Sequence, residues 1–406
     1  MKKILMSEGA SLTSRETLTV LKKAGVIVDV MGASKWSISR FSKWRRHYFS
    51  GYRVNEPKAF LKEISTRHEQ NHYTCLLPTH EEIWLFAWTK NYLKGLPVYT
   101  ASKDAFEKVE GKRQFAQLSE QIHFPQPQWC LAENRASWSE FPCWLKADFS
   151  TAGRGVVKIH NPQELEEEMQ VFAEKGIKVS DLMIQKNVSG TYGQVQALFE
   201  EGKLIAVHSS QQTGIGPGGS AAARISCDST EAIQQLIAFG RHTGWNGGIT
   251  FDFIKNKHQL LFIECNPRMV EPGNAAAAGV NFPELLIGLN EKQEFTDQPL
   301  RIGKAGVKTH STLALLMGTA EKTESRLEIL KIFFSCLFHK GMFKESREVL
   351  TPLNDLPSLL PLMVAFIIFL MNPKVHRKMT AQAVNNYSLS PEIIQKIAEG
   401  DCDKSV

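Results

Sequence analysis

Two runs, "GGITFDFIKNK" (247–257) and "HQLLFIECNPR" (258–268), alternate apolar and polar residues around a short polar turn. Such a pair folds as an antiparallel hairpin, because alternate side chains point to opposite faces of a strand. The second run constrains the fold most. It ends by presenting Glu264, Asn266 and Arg268 at every second position. A carboxylate, an amide and a guanidinium on one strand face are poor material for a core. A three-residue loop sets Lys255 opposite Gln259 and puts the even-numbered positions on one face. On that register Phe251, Phe253, Leu261 and Ile263 are buried, and Asp252, Glu264 and Asn266 gather opposite them. Such oxygen donors suit a hard cation, Mg²⁺ above all, sharing its shell with water and nucleotide phosphates. Arg268 follows one step along, where a two-pronged guanidinium can hold a phosphate or carboxylate. The plain alternative is a polar face turned to solvent.

Three upstream stretches keep this hairpin company. Lys146 stands on the strand-like "PCWLKADFS", followed by "STAGRGVVKI" with Gly153 and Gly155. Glycines let backbone N–H groups approach phosphate oxygens, although any tight turn uses them too. Lys112 opens the helical run "GKRQFAQLSEQ" and, taken alone, reads as an exposed helix lysine. "DLMIQKNVSGTYGQVQALF" is strand, polar hinge and strand, fit either to clamp a flat base or simply to join two subdomains.

The wider chain is a mixed one. "KKILMS", "VIVDVMG" and "YTCLLP" alternate with helical stretches and predict a small parallel βαβ sheet in the first hundred residues. From Ser102 a long helical stretch runs to about residue 121, and "NPQELEEEMQVFAEKG" shows an Asn161 N-cap with Pro162 at the first helical position. "QQTGIGPGGSAAAR" reads as a mobile loop long enough to act as a lid, with Arg224 at its end. Beyond residue 300 the chain is mostly helical.

Bulk properties narrow the classes. At 406 residues, two or three domains are expected. A net charge of +6 suits acidic small molecules without requiring nucleic acid. The basic stretch "RFSKWRRH" reads as solvated surface. Seven scattered cysteines, none in a CxxC pair, fit a reducing, cytoplasmic setting and no zinc site. The apolar run Leu359 to Met371 falls short of the ~20 residues that span a bilayer. It reads as a buried or interface helix, with shallow membrane association as the alternative, and a homo-oligomer is possible.

The order of these pieces resembles the ATP-grasp superfamily of ligases over about Ala101 to Leu289. "IECNPRM" followed by "AAAAGVNFPELLIG" is most similar to its carbamoyl-phosphate-synthase-like and carboxylate–amine ligase branches. The resemblance implies an α/β (α+β) fold in which an N-terminal pre-ATP-grasp domain (1–104) precedes an ATP-grasp domain (105–300) and a helical C-terminal region (301–406). It implies that Lys112 and Lys146 contact ATP phosphates under a loop that includes Ser150, Thr151, Gly153 and Gly155. Gln185, Lys186, Asn187 and Val188 would form the adenine hinge. Asp252, Glu264 and Asn266 would hold two Mg²⁺ ions, with Mn²⁺ possible, and Arg268 and Arg224 would face anionic substrate. Where the family places a ribose-binding carboxylate this chain has Gly193, with Gln194 as a substitute. Gln185 stands where Glu is common. The implied reaction joins a carboxylate to an amine or similar acceptor through an acyl phosphate, forming ADP. A kinase without ligation and a non-catalytic nucleotide-binding regulatory protein are the alternatives.

Overall fold

The computed structural model describes residues 1–149, 155–351 and 353–398. Among them the strands fall into three sheets. The first is parallel: β1 (Lys3–Met6), β2 (Ile27–Gly32), β3 (Arg45–Ser50) and β4 (Cys75–Leu77), in the order β3-β2-β1-β4. β3 falls on the basic stretch expected to be plain surface. As an edge strand it lets charged side chains reach water. Arg46, however, turns inward, its Nη2 2.5 Å from Oδ2 of the buried Asp29.

The second sheet is antiparallel, with β5 (Trp129–Leu131), β6 (Cys143–Ala147), β7 (Val156–Ile159) and β8 (Leu182–Lys186) in the order β5-β8-β6-β7. The helix Pro162–Glu174 packs Leu165 and Phe172 against Leu145, Ile159 and Ile184. Asn161 caps that helix, its side chain accepting from the Glu164 N–H at 2.9 Å.

The third sheet comprises β9 (Thr191–Glu200), β10 (Lys203–Ile215), β11 (Ala221–Cys227), β12 (Gly247–Lys255), β13 (Leu260–Asn266), β14 (Arg301–Ile302), β15 (Lys308–His310) and β16 (Arg347–Glu348). Their order is β13-β12-β9-β10-β11-β15-β16, with β14 paired to β10, so this sheet continues past residue 300. Its covered face rests on an aromatic cluster in which Phe124 stacks on Phe262 with ring centroids 4.0 Å apart.

Two sequence expectations are corrected here. The stretch 211–224 is no structureless lid. β10 and β11 run into it as a hairpin closed by Pro217–Gly219, and the Gly216 N–H donates to the Ser220 carbonyl at 2.7 Å. Its glycines serve the strand irregularities near Gly214 and the tight turn. The helical stretch after Ser102 is broken into Lys103–Glu107 and Lys112–Gln121. Gly111 is the extended N-cap of the second helix, and a Cβ there would lie 2.4 Å from Asp148 Oδ1. Only glycine lets the carboxylate approach this closely.

The C-terminal helices pack onto the first parallel sheet's flank through a buried ion pair. Arg15 Nη2 lies 2.6 Å from Asp355 Oδ2, and both side chains are shut off from solvent. Asp355 also accepts from Ser42 Oγ and the Lys43 N–H. Asp355→Ala leaves the arginine charged, buried and uncompensated, so a loss of about 3–5 kcal/mol is expected by urea denaturation. No helix among the described residues is long and apolar enough to cross a membrane.

Candidate active site

The acidic pair is built by a register that differs from the expected one. Lys255 pairs with Leu260, so the loop holds four residues, and Asn256 Oδ1 accepts from the N–H groups of His258 and Gln259. That short-range turn wins over the three-residue loop because an asparagine side chain satisfies the turn's own donors. A bulge between Asp252 and Phe253 then moves the register again, and Asp252 arrives opposite Glu264 with Thr250 opposite Asn266. Leu260 and Phe262 join Phe251 and Phe253 in the aromatic core; Leu261 is buried as expected, whereas Ile263 is only half-buried.

Asp252 is buried and accepts from Gln194 Nε2 at 3.2 Å. Burial, with Glu264 close by, pushes its carboxyl up to about 7. Glu264, by contrast, is about a third exposed. Two facing carboxylates repel each other, and a bound cation offsets that repulsion. With the Asn266 amide beside them the donors are all oxygen, which fits Mg²⁺ or Mn²⁺. Among the described residues no third His, Cys, Asp or Glu joins the pair.

Two lysines converge on the same carboxylates. Lys112 Nζ is 3.4 Å from Glu264 Oε1. Its helix is aimed by Asp148, whose backbone carbonyl accepts from the Lys112 N–H and whose Oδ1 accepts from the Arg113 N–H. Lys146, on β6, donates to Gln185 Oε1 at 2.6 Å and to the Ile263 carbonyl at 3.2 Å. Burial pulls its ammonium down to about 8; Glu264 opposes that shift and Lys112 adds to it. Gln185 therefore contributes its side chain to the site. Arg268 Nη2 is 3.5 Å from Asn266 Oδ1, and its buried Nη1 has no hydrogen-bond partner among the described residues.

The remaining candidates divide. Lys186, Asn187 and Val188 follow Gln185 out of β8; Asn187 accepts from Trp144 Nε1 at 3.0 Å, and Lys186 pairs with Glu140 at 3.1 Å. Gly155 borders the cavity described next, while Ser150, Thr151 and Gly153 lie outside the described residues. Arg224 is buried on β11, with Nη2 2.7 Å from Glu271 Oε2, so it is not poised at a loop tip. Its charge still favours the ionised form of Asp252. At Gly193 a Cβ would lie 2.3 Å from Phe253 Cζ and 2.6 Å from the Ser210 carbonyl. No carboxylate side chain fits there, and Gln194 is spent on Asp252.

A cavity of about 450 Å³ opens beside Lys112, Glu264, Asn266 and Arg268. Its far wall is Glu81, Trp84 and the C-terminal residues Val384, Ser388, Leu389 and Ile394. That tail is tied to the first parallel sheet's side: Asn55 Nδ2 donates to the Ser388 carbonyl at 2.8 Å, and the Leu389 N–H to Glu81 Oε2 at 2.9 Å. Sequence reasoning placed no tail residue here, since a helical stretch carries no mark of the wall it will form. Tyr192 was missed as well, although it lies two residues before Gln194 on β9 and acts on the charge of Asp252.

No protein-family model matches the chain. The carbamoyl phosphate synthase large chain of Clostridium perfringens is 25% identical over 192 residues, which is 43% of this chain and 18% of that one. The chain thus spans less than a fifth of that relative's length. Among solved structures, biotin carboxylase from Campylobacter jejuni superposes with a TM-score of 0.60 at 16% identity, covering 76% of this chain and 74% of that one. An L-amino acid ligase from Bacillus licheniformis gives 0.57 at 14% identity, over 72% and 74%. The chain has the ATP-grasp fold. In sequence it is similar to carbamoyl phosphate synthase large chains over about half its length or less.

Proposed function

We propose that this protein is a Mg²⁺-dependent ATP-grasp ligase that activates a carboxylate as an acyl phosphate for attack by an amine or similar nucleophile. The observation that carries the reading is the facing of Asp252 and Glu264 on paired strands, with Lys112 and Lys146 converging on them. In this reading residues 1–104 and the C-terminal helices frame a catalytic unit of 105–300 whose large sheet runs on into β14, β15 and β16, and the chain works in the cytoplasm. The cysteines among the described residues are free thiols, which suits such a compartment.

Asp252, Glu264 and Asn266 hold the metal, and Gln185 to Val188 receive the adenine. Lys112 and Lys146 take the phosphates. Bound Mg²⁺, as two ions, supplies neutralisation of the phosphates and of charge developing on the transferred group. Arg268, in the cavity wall, faces the incoming carboxylate or the transferred phosphate. Arg224, held by Glu271, favours the ionised form of Asp252. A carboxylate oxygen attacks the γ-phosphorus and ADP leaves. The nucleophile then adds to the acyl carbon, phosphate departs, and the amine's proton passes to solvent. No side-chain nucleophile is required, because positioned charge does most of the work.

The test is ADP release over paired panels of acids (amino acids, small peptides, sugar acids) and amines, with product masses determined. Free phosphate together with a condensed product is expected only when acid and acceptor are both present. Phosphate retained on a single substrate would establish a kinase instead. Mg·ATP binding without turnover across the panel would leave a nucleotide-binding regulator.

A further inference from the structure

Among the described residues, twelve of the eighteen exposed large apolar side chains lie between Leu327 and Met371. Most of them lie on two helices packed side by side, and an apolar patch built that way calls for an occupant. On the helix Leu359–Met371, Leu360, Met363, Val364, Ile367 and Met371 are 39% to 71% exposed. Their spacing of three, four and seven residues makes a single stripe. Leu362, Ala365, Phe366 and Phe369 of the same helix point the other way, into the core.

The helix Arg326–Leu337 lies antiparallel beside it. Phe333 stacks on Phe366 with ring centroids 3.9 Å apart, and Arg326 Nη2 donates to the Met371 carbonyl at 2.8 Å. Its outward stripe is Leu327, Phe334 and Leu337, continued by Phe338 just beyond the helix end. Cations rim the two stripes: Arg326, Lys374 and Arg377 at one end, Lys340 and Lys344 at the other, and Lys331 between. Three carboxylates stand among these six cations, Glu324, Glu328 and Glu345, so the rim stays net positive. Lys340 lies over the Phe338 ring at 5.7 Å, apolar stem against the patch and charge at its border.

We propose that this face seats the protein on an anionic phospholipid surface, with both helices lying in the plane of the interface. The helix Leu359–Met371 has 13 residues and is about 20 Å long, short of the ~30 Å hydrocarbon core, so it lies on the bilayer and does not cross it. Apolar burial and headgroup attraction act together there, each basic residue adding to the affinity. A second copy of this chain fits the face less well. A two-fold contact would bring the same net-positive rims against each other, with Glu324 already shared by Lys374 and Arg377 and Glu328 already paired with Lys331.

The full chain is sedimented with vesicles of phosphatidylcholine alone and of phosphatidylcholine with phosphatidylserine. Binding is expected only to the second, and it should weaken as salt is raised. Phe334→Asp and Ile367→Asp should each lower vesicle partitioning about tenfold or more. Lys340→Glu and Lys374→Glu, both at exposed positions, should each lower it about fivefold or more. Retained binding of a nonhydrolysable ATP analogue shows that each variant is folded. Failure to bind either vesicle, or equal binding to both, would overturn the proposal. So would a concentration-dependent dimer in ultracentrifugation that Ile367→Asp abolishes while vesicle binding is absent. Since sedimentation reads no turnover, this outcome stands apart from that of the ligase reading.

Discussion

Glu264→Ala is expected to lower acid-dependent ADP formation by at least about 10³-fold, with Asp252→Ala at least as damaging. Glu264 does two jobs. It faces Asp252 across the paired strands, and its Oε1 stands 3.4 Å from Lys112 Nζ. Removing it leaves Asp252 alone with the metal and Lys112 without its carboxylate. Asp252 is buried, so its replacement also relieves a costly charge, and folding should not suffer. Glu264→Gln is the sharper variant, because it keeps shape and hydrogen bonding and removes only the charge. It should lose most of the activity as well, with Mg²⁺ dependence shifted to higher concentration. Substrate-dependent turnover that survives both Asp252→Ala and Glu264→Ala would reject this site. Urea denaturation midpoints close to those of the unaltered protein would exclude unfolding as the cause.

The parts of this fold that were legible in the sequence are those in which local chemistry and long-range packing agree. Asn161 and Pro162 announce their helix because an N-cap and a fixed φ act within one turn. The convergence of Asp252 with Glu264 was also readable, but for a partly wrong reason. Parity in the hairpin was inferred from the loop, and the loop is one residue longer. A bulge restores the parity, and bulges leave no signature in apolar alternation. The glycines of 211–224 misled in the opposite sense. Clustered glycine suggests mobility, yet Gly214 sits where a Cβ would crowd Ala223 and Leu315. Close packing demands glycine there as firmly as a flexible loop would. β3 was hidden by its charge, since an edge strand needs no alternation when water lies on one side. The cavity wall from Val384 to Ile394 was unreadable in principle: its contacts with Asn55 and Glu81 join positions some three hundred residues apart.

Affinity for a nonhydrolysable Mg·ATP analogue is expected to fall as pH rises through about 8, and the group responsible is Lys146. Its ammonium is buried, which pulls its pKa down to about 8 from the ordinary lysine range. Below that pH the group is charged and attracts phosphate; above it the neutral amine does not. One proton is involved, so the decline should approach but not exceed tenfold per pH unit. Bound phosphate favours the ammonium, so the midpoint in the complex lies higher than in the free protein. On the acid side the sign reverses. Asp252, pushed up to about 7, binds a proton as pH falls and releases the metal, so affinity drops there as well. Lys146→Met should remove the alkaline limb while leaving the acidic one. At neutral pH it should also weaken binding by at least about thirtyfold, as expected when a buried charged partner is deleted. Gln185→Glu tests the same group from the other side, by placing a carboxylate 2.6 Å from the lysine nitrogen in place of an amide. The charge pair would raise the lysine's pKa and move the alkaline limb upward. A titration that stays flat from neutral to alkaline pH in the unaltered protein, or an alkaline limb that persists in Lys146→Met, would remove Lys146 from the phosphate site.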